Sequence, residues 1–220
     1  MSAESFEQPL VSVDVVPLHL GADGTLRVTL GPRQFAPHLG EPALPGVLMG
    51  RERSVEAAAR ALRTKTGIEA EVLLRDVGVF DSPARDPRGP TMAVTKLALG
   101  PARDLAPGPP ALAVPVAALG PLPFDHAAMI AAAVRSLAAQ IWQDREMARA
   151  LLGAEFTTRT ATALQRELEQ AAGQAVRADA SNMKRRLLAT GWVRPTDRVA
   201  LPEGATGRPS TVWEWEPGTA

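Results

Sequence analysis

The segment Asp179–Thr190, DASNMKRRLLAT, carries an asparagine and two arginines at a spacing suited to reading nucleic acid. Folded as a helix, it turns Met183 and Leu187 towards a core, with Leu188 beside them. Asn182, Arg185 and Arg186 then share the opposite face, flanked by Ser181 and Lys184. An asparagine amide can bond the edge of adenine bidentately, and an arginine can do the same for guanine or clamp a phosphate. The basic residues of this region are Arg177, Lys184, Arg185, Arg186, Arg194, Arg198 and Arg208, against the acids Asp179, Asp197 and Glu203. A locally basic surface inside a neutral chain is what a DNA-contacting module presents. The same residues also suit a solvated amphipathic helix, or a module that docks protein or RNA and is indifferent to DNA sequence.

A second stretch, Gly46–Ile68, GVLMGRERSVEAAARALRTKTGI, resembles the Nudix box, G-x5-E-x7-R-E-U-x-E-E-x-G-U with U aliphatic. Gly46, Glu52, Arg60, Leu62, Gly67 and Ile68 fall on that pattern, and Ala43-Leu44-Pro45-Gly46 is similar to the family's lead-in. Ala61, Thr64 and Lys65 stand where the family has glutamates. The i, i+3, i+4 spacing puts those positions on one helix face. In Nudix hydrolases that face presents carboxylates to hard cations, which need several oxygen ligands. Alanine supplies none, threonine a neutral one, and lysine a positive charge where the cation would sit. The resemblance therefore implies a kept scaffold with an erased metal site, and no metal is expected.

Behind these stretches stands a chain of 220 residues, 45% hydrophobic, long enough for one large or two small domains. Lys+Arg and Asp+Glu are both 24, so the whole chain does not announce a polyanion partner. Cysteine is absent, which excludes disulfides and thiolate metal sites. His19, His38 and His126 are scattered, against zinc. The start, MSAESFEQPLVSVDVV, lacks a basic region ahead of an apolar signal core, and no apolar run is long enough for a bilayer. A cytoplasmic protein without membrane contact is expected.

The elements that must position the chemistry follow from periodicity. Leu10–Leu20 is expected to be a strand, with Val11, Val13 and Val15 alternating against Ser12 and Asp14. A turn at Ala22–Thr25 returns it as Leu26–Leu30, and Gly31–Pro42 is expected to be a polar loop. Ser54 is expected to cap a helix that ends at Gly67, with Val55, Ala58, Ala59 and Leu62 as its apolar stripe. Val72–Phe80, Met92–Leu99 and Leu112–Ala118 are expected strands, with the loop Asp81–Pro90 between the first two. From a cap at Asp125 one long helix is expected to about Leu152, with Met129, Ile130, Val134, Leu137 and Ile141 inward. A domain boundary is placed after it, giving domains 1–152 and 153–220. Helices at Thr158–Ala172 and Asp179–Thr190, then strands at Trp192-Val193 and Trp213–Trp215 around the loop Pro202–Pro209, suggest a winged helix-turn-helix. The fold class expected is α+β: a Nudix-like α/β/α sandwich with a mixed sheet, which the resemblance of the box implies, followed by that winged helix.

This order of parts resembles the NrtR family, Nudix-related transcriptional regulators of NAD metabolism. Phe80–Gly89 with its Asp86-Pro87-Arg88-Gly89, and Leu122–His126, are similar to two of the family's segments. Glu155-Phe156-Thr157, Leu164-Gln165-Arg166, Asn182–Gly191 and Gly207-Arg208-Pro209 are similar to its winged-helix signatures. The similarity runs from about Val11 to Trp215. Two departures stand out: the Phe156–Leu164 interval is longer, and Ser181 replaces a common arginine, which bears on operator preference. The resemblance implies a homodimeric repressor of NAD biosynthesis or salvage genes that binds a double-stranded DNA operator and senses ADP-ribose or a related nucleotide as effector. It implies no catalytic residues and no cofactor.

On that reading Arg33, Arg85 and Arg88 are candidates for the effector's phosphates. Phe35, Phe80 and Phe124 are candidates to stack on adenine, and Asp86 and His126 to bond ribose. Thr157, Thr158, Ser181, Asn182, Lys184, Arg185, Arg186 and Arg208 are candidates for DNA. The alternative is an active nucleotide pyrophosphatase of the ADP-ribose type, in which Glu52 and Glu56 would hold one weak metal.

Overall fold

The computed structural model describes residues 8–201 and 206–217. The expected loop Pro202–Pro209 is described only from Thr206, and residues 202–205, like the first seven of the chain, lie outside the described residues.

Strand β1 (Leu10–Leu20) is the centre of a mixed sheet. It pairs antiparallel with β2 (Leu26–Pro32) and in parallel with β6 (Thr91–Leu99). Outside these lie β3 (Pro42–Ala43) and β7 (Leu112–Pro115) on β2, and β5 (Leu73–Phe80) on β6. The short β4 (Gly46–Leu48) pairs with β1 near its start. The valine–polar alternation of β1 does not mark an inside and an outside, because the strand is buried on both faces. Val13 and Val15 pack with one core cluster, and Val16, Leu18 and Leu20 with another. A central strand covered on both sides is apolar on both sides.

Helix α1 (Ser54–Thr66) covers the first face and α2 (His126–Gln140) with α3 (Arg145–Leu152) the second. Arg53, not Ser54, occupies the cap position of α1, and the Glu56 carboxylate accepts the Arg53 N–H at 2.9 Å. Gly67 ends the helix in the left-handed conformation at φ 71°, as expected of a C-terminal glycine. Its buried face is Ala57, Ala58, Ala61, Leu62 and Thr66, whereas Val55 and Ala59 are exposed. The stripe is thus rotated from the one periodicity suggested, because alanines are small enough to face either way.

The single long helix expected from Asp125 to Leu152 is two helices. The chain breaks at 141–144, where Asp144 caps α3 by accepting the N–H groups of Glu146 and Met147 at 2.9 and 3.1 Å. Arg75 on β5 pins the break, bonding Asp144 at 3.0 Å and Glu146. Likewise Val116–Ala118, expected as strand, is a turn of 3-10 helix.

Beyond Gly153 come β8 (Glu155–Thr157), α4 (Thr158–Ala171), α5 (Ala180–Thr190), β9 (Val193–Ala200) and β10 (Ser210–Trp215). The strands form a sheet in the order β8-β10-β9, antiparallel throughout. β8 escaped expectation because three residues are too few to show a period. Met183 and Leu187 are buried under α5, but Leu188 is 57% exposed, so it belongs to the outer face. One continuous cluster of buried side chains runs from Val16 and Leu18 through Met129 and Leu152 to Leu164, Met183 and Trp213.

Candidate functional site

Seven of the eight residues expected to meet a nucleotide line one cavity of about 370 Å³. They are Arg33, Phe35, Arg85, Asp86, Arg88, Phe124 and His126. The volume lies in the roughly 300–1,000 Å³ range of small-molecule sites. Phe80 is not among the lining residues. It packs against the main core, where the last residue of an edge strand turns inward.

The cavity opens where β1 changes from polar to apolar. Ser12 and Asp14 end the buried face of β1 at the cavity, and the Ser12 hydroxyl donates to Asp14 at 2.8 Å. Gly46 faces them. A Cβ on Gly46 would lie 2.0 Å from an Asp14 carboxylate oxygen, so the first glycine of the box is required by this close approach. Burial drives the Asp14 pKa up from 3.8 to about 6, opposed by the Ser12 hydrogen bond and the Arg85 charge. Asp14 and Ser12 were not anticipated as site residues; the only signal was a carboxylate in the middle of a valine strand.

Arg85 does not offer its charge to a ligand. Its side chain is 5% exposed and grips Asp125 with two hydrogen bonds, 3.0 and 2.9 Å, with Asp14 at 3.7 Å. That engagement also explains why Asp125, at the start of α2, makes no side-chain cap. Asp86 is engaged in turn by Arg88, through the backbone N–H at 3.0 Å and the guanidinium at 2.9 and 2.7 Å. Arg88 itself remains 53% exposed and can reach a ligand.

His126 is buried with its Nδ1 accepting the Leu44 N–H at 3.1 Å. The neutral ring therefore carries its proton on Nε2, 4.0 Å from Asp14. Burial drives its pKa down from 6.5 to about 4, so at neutral pH the ring is uncharged and the pair is no salt bridge. Phe124 adopts φ 56°, unusual for an aromatic residue. This brings its ring within reach of the Arg33 guanidinium, 4.6 Å from the ring centre, and against His38 and His126 at 5.3 and 5.5 Å. Phe35 stands at the rim, 68% exposed.

The box residues divide among three environments instead of sharing one face. Ala61 is fully buried in the core, and Thr64 is exposed, its hydroxyl donating to the Arg60 carbonyl at 2.8 Å. Lys65 alone of the three lines the cavity, with its Nζ 2.6 Å from the Gln34 side-chain oxygen. Glu52 is bound by Arg60, and Glu56 by the Arg53 N–H. Among the described residues no group of three histidine or acidic side chains could hold a metal ion.

The nucleic-acid candidates fare unevenly. Asn182, Lys184, Arg185, Arg186 and Ser181 are all exposed on α5. Asp179 caps the helix, accepts from the Asn182 amide, and Asn182 accepts from Arg185, so the three side chains form one chain along the face. Arg208 is exposed. Thr158 is 1% exposed and its hydroxyl accepts the indole N–H of Trp213 at 2.8 Å, so it has no surface for DNA. Thr157 is also buried and caps α4 through Thr160. Arg194 and Arg198 are paired with Glu214, and Arg198 also with Glu155. The net basic surface is therefore α5 with Arg177 and Arg208, narrower by Arg194 and Arg198 than a count over residues 177–208 suggests.

No protein-family profile and no curated protein sequence matches the chain. Its backbone is similar to that of Shewanella oneidensis NrtR in complex with a 27mer DNA, with a TM-score of 0.72 at 22% identity over 94% of this chain and 93% of that one. A MutT/nudix family protein from Enterococcus faecalis superposes with a TM-score of 0.67 at 22% identity, over 96% of this chain and 90% of that one. The Nudix domain of Shewanella oneidensis NrtR in complex with ADP ribose gives 0.55 at 27% identity, over 62% of this chain and 94% of that domain. The chain has an NrtR-like Nudix fold. No helix among the described residues is long and apolar enough to cross a membrane.

Proposed function

We propose that this protein is a DNA-binding repressor whose Nudix unit senses ADP-ribose or a closely related nucleotide, and that it controls genes of NAD biosynthesis or salvage as a homodimer. Two units divide the work, residues 1–152 for the effector and 153–220 for DNA. In the second, α4 and α5 serve as the helix-turn-helix and the β9–β10 hairpin as the wing. One observation carries the reading: a single chain holds both a cation-lined cavity and an exposed helix face of Asn182, Lys184, Arg185 and Arg186. The similarity to NrtR structures with DNA and with ADP ribose supports it.

The similarity to a MutT/nudix protein favours a second reading, a nucleotide pyrophosphatase. Against it, both surviving box glutamates are engaged within the protein, leaving no carboxylate set to activate water on a metal. The deciding experiment uses one preparation for two assays. Operator binding should respond to ADP-ribose, and magnesium-dependent release of AMP from ADP-ribose should stay at background. Robust turnover would replace the repressor reading with the hydrolase one.

A further inference from the structure

The metal that a Nudix box normally holds does not fit the donors present here. Glu52 is neutralised by Arg60 and also accepts from the Gly50 N–H at 3.4 Å; Glu56 is spent on the helix cap. Ala61 faces the core, and the Thr64 hydroxyl is turned back on its own helix. A hard divalent cation requires several oxygen ligands, and the box offers no free carboxylate.

The cavity is instead cationic. Of its five basic side chains, Arg60, Arg85 and Arg88 are paired with Glu52, Asp125 and Asp86. Arg33 and Lys65 have no carboxylate within 4.0 Å among the described residues. Arg33 donates to two backbone carbonyls, of Pro37 and Phe35, and Lys65 to the neutral Gln34 amide oxygen. Partial burial, and after it the charges of Arg33 and Arg60, lower the Lys65 pKa. The backbone holds Lys65 in place. Gly31 on β2 lies so close that a Cβ there would be 2.4 Å from the Lys65 carbonyl oxygen, so the last turn of α1 rests directly on the strand.

We propose that the Lys65 ammonium, with Arg33, takes the place of the divalent cation, so that a diphosphate binds this cavity without metal. This rests on the effector reading above and specifies its chemistry. The two positive charges match the two negative charges of a diphosphate bridging two sugars. An ammonium neutralises charge yet cannot deliver an activated water, so the same substitution separates holding a diphosphate from cleaving it.

The test is calorimetric titration of the full chain with inorganic pyrophosphate and with ADP-ribose, each in EDTA and in magnesium. Both should bind in EDTA at least as well as in magnesium. Lys65→Met should weaken both by about tenfold or more, and Lys65→Arg should hold affinity within a few fold. Circular dichroism verifies that each variant is folded. If both probes bind only with magnesium, or Lys65→Met binds pyrophosphate as wild type does, the metal-free site is overturned while the effector reading stands. If pyrophosphate binds in EDTA through Lys65 but ADP-ribose does not, the site stands and the choice of effector falls. Failure of both probes under all conditions overturns both.

Discussion

The Glu167 carboxylate on α4 accepts the backbone N–H of Leu26 at 2.9 Å, joining positions 141 residues apart. Beside it, the turn before β2 rests on the same helix, with the Gly24 α-carbon so placed that a Cβ would lie 3.1 Å from the Ala163 methyl. The sheet that forms the cavity thus touches the helix that precedes α5. Glu167→Ala leaves a buried N–H unsatisfied and should cost about 1–3 kcal/mol in chemical denaturation. It should also reduce the effect of ADP-ribose on operator affinity. A variant that is destabilised but fully responsive to the nucleotide would show that coupling runs elsewhere.

Arg85 and Arg88 should separate stability from binding. Arg85→Ala strands Asp125 and Asp14 and should destabilise the fold by about 3 kcal/mol. Arg88→Ala removes a half-exposed guanidinium but leaves the Arg88 backbone N–H on the buried Asp86 carboxylate, so it should destabilise the fold less than Arg85→Ala while weakening ADP-ribose binding. Equal loss of stability in the two variants would overturn the division.

Asp14 and His126 impose opposite pH dependences over nearly the same window. The folded state holds the Asp14 proton to about pH 6 against 3.8 when unfolded, so this group makes stability fall as pH rises between those values. His126 titrates near 4 when folded and 6.5 when unfolded, so its contribution makes stability rise across that interval. Each amounts to about 3 kcal/mol, and in the wild type they largely cancel. Relative to wild type, Asp14→Asn should gain stability between pH 4 and 7, and His126→Asn should lose it. Denaturation midpoints at three pH values check the two slopes, and parallel curves for all three proteins would refute them.

Base contacts and phosphate contacts should respond differently to mutation. Asn182→Ala should narrow the gap between operator and scrambled DNA by about 1–3 kcal/mol. Arg208→Ala should weaken both alike and flatten the salt dependence by about one unit of slope. Fluorescence anisotropy at two salt concentrations distinguishes them, and wild-type binding by both variants would move the DNA surface off α5.

Returning a glutamate to position 61 should not restore a metal site. Ala61 is fully buried, and Ala61→Glu should cost more than about 2 kcal/mol through overpacking and a buried charge. Retention of full thermal stability by this variant would contradict the packing described.

Local pattern made the main strands and the polar face of α5 legible, because Val, Leu and Met at fixed periods report which side is covered. It also marked Gly46, although the reason lies thirty-odd residues upstream in the Asp14 carboxylate. What escaped depends on distance in space. Glu155 and Glu214 neutralise arginines of β9 from outside any local window, and Trp213 covers Thr158 from a strand far along the chain. The break between α2 and α3 was hidden for a related reason: Ile141 and Met147 continue the apolar pattern, and only the Arg75 ion pairs favour a new cap at Asp144.

The uninterrupted cluster of buried side chains on both sides of Gly153 has a thermal consequence. Where two lobes share interior, neither can melt while the other keeps its neighbours dry. Heating should therefore give one endotherm with matching van't Hoff and calorimetric enthalpies, and an effector lodged at the far end of the sheet should raise the melting point of α5 as much as that of β1.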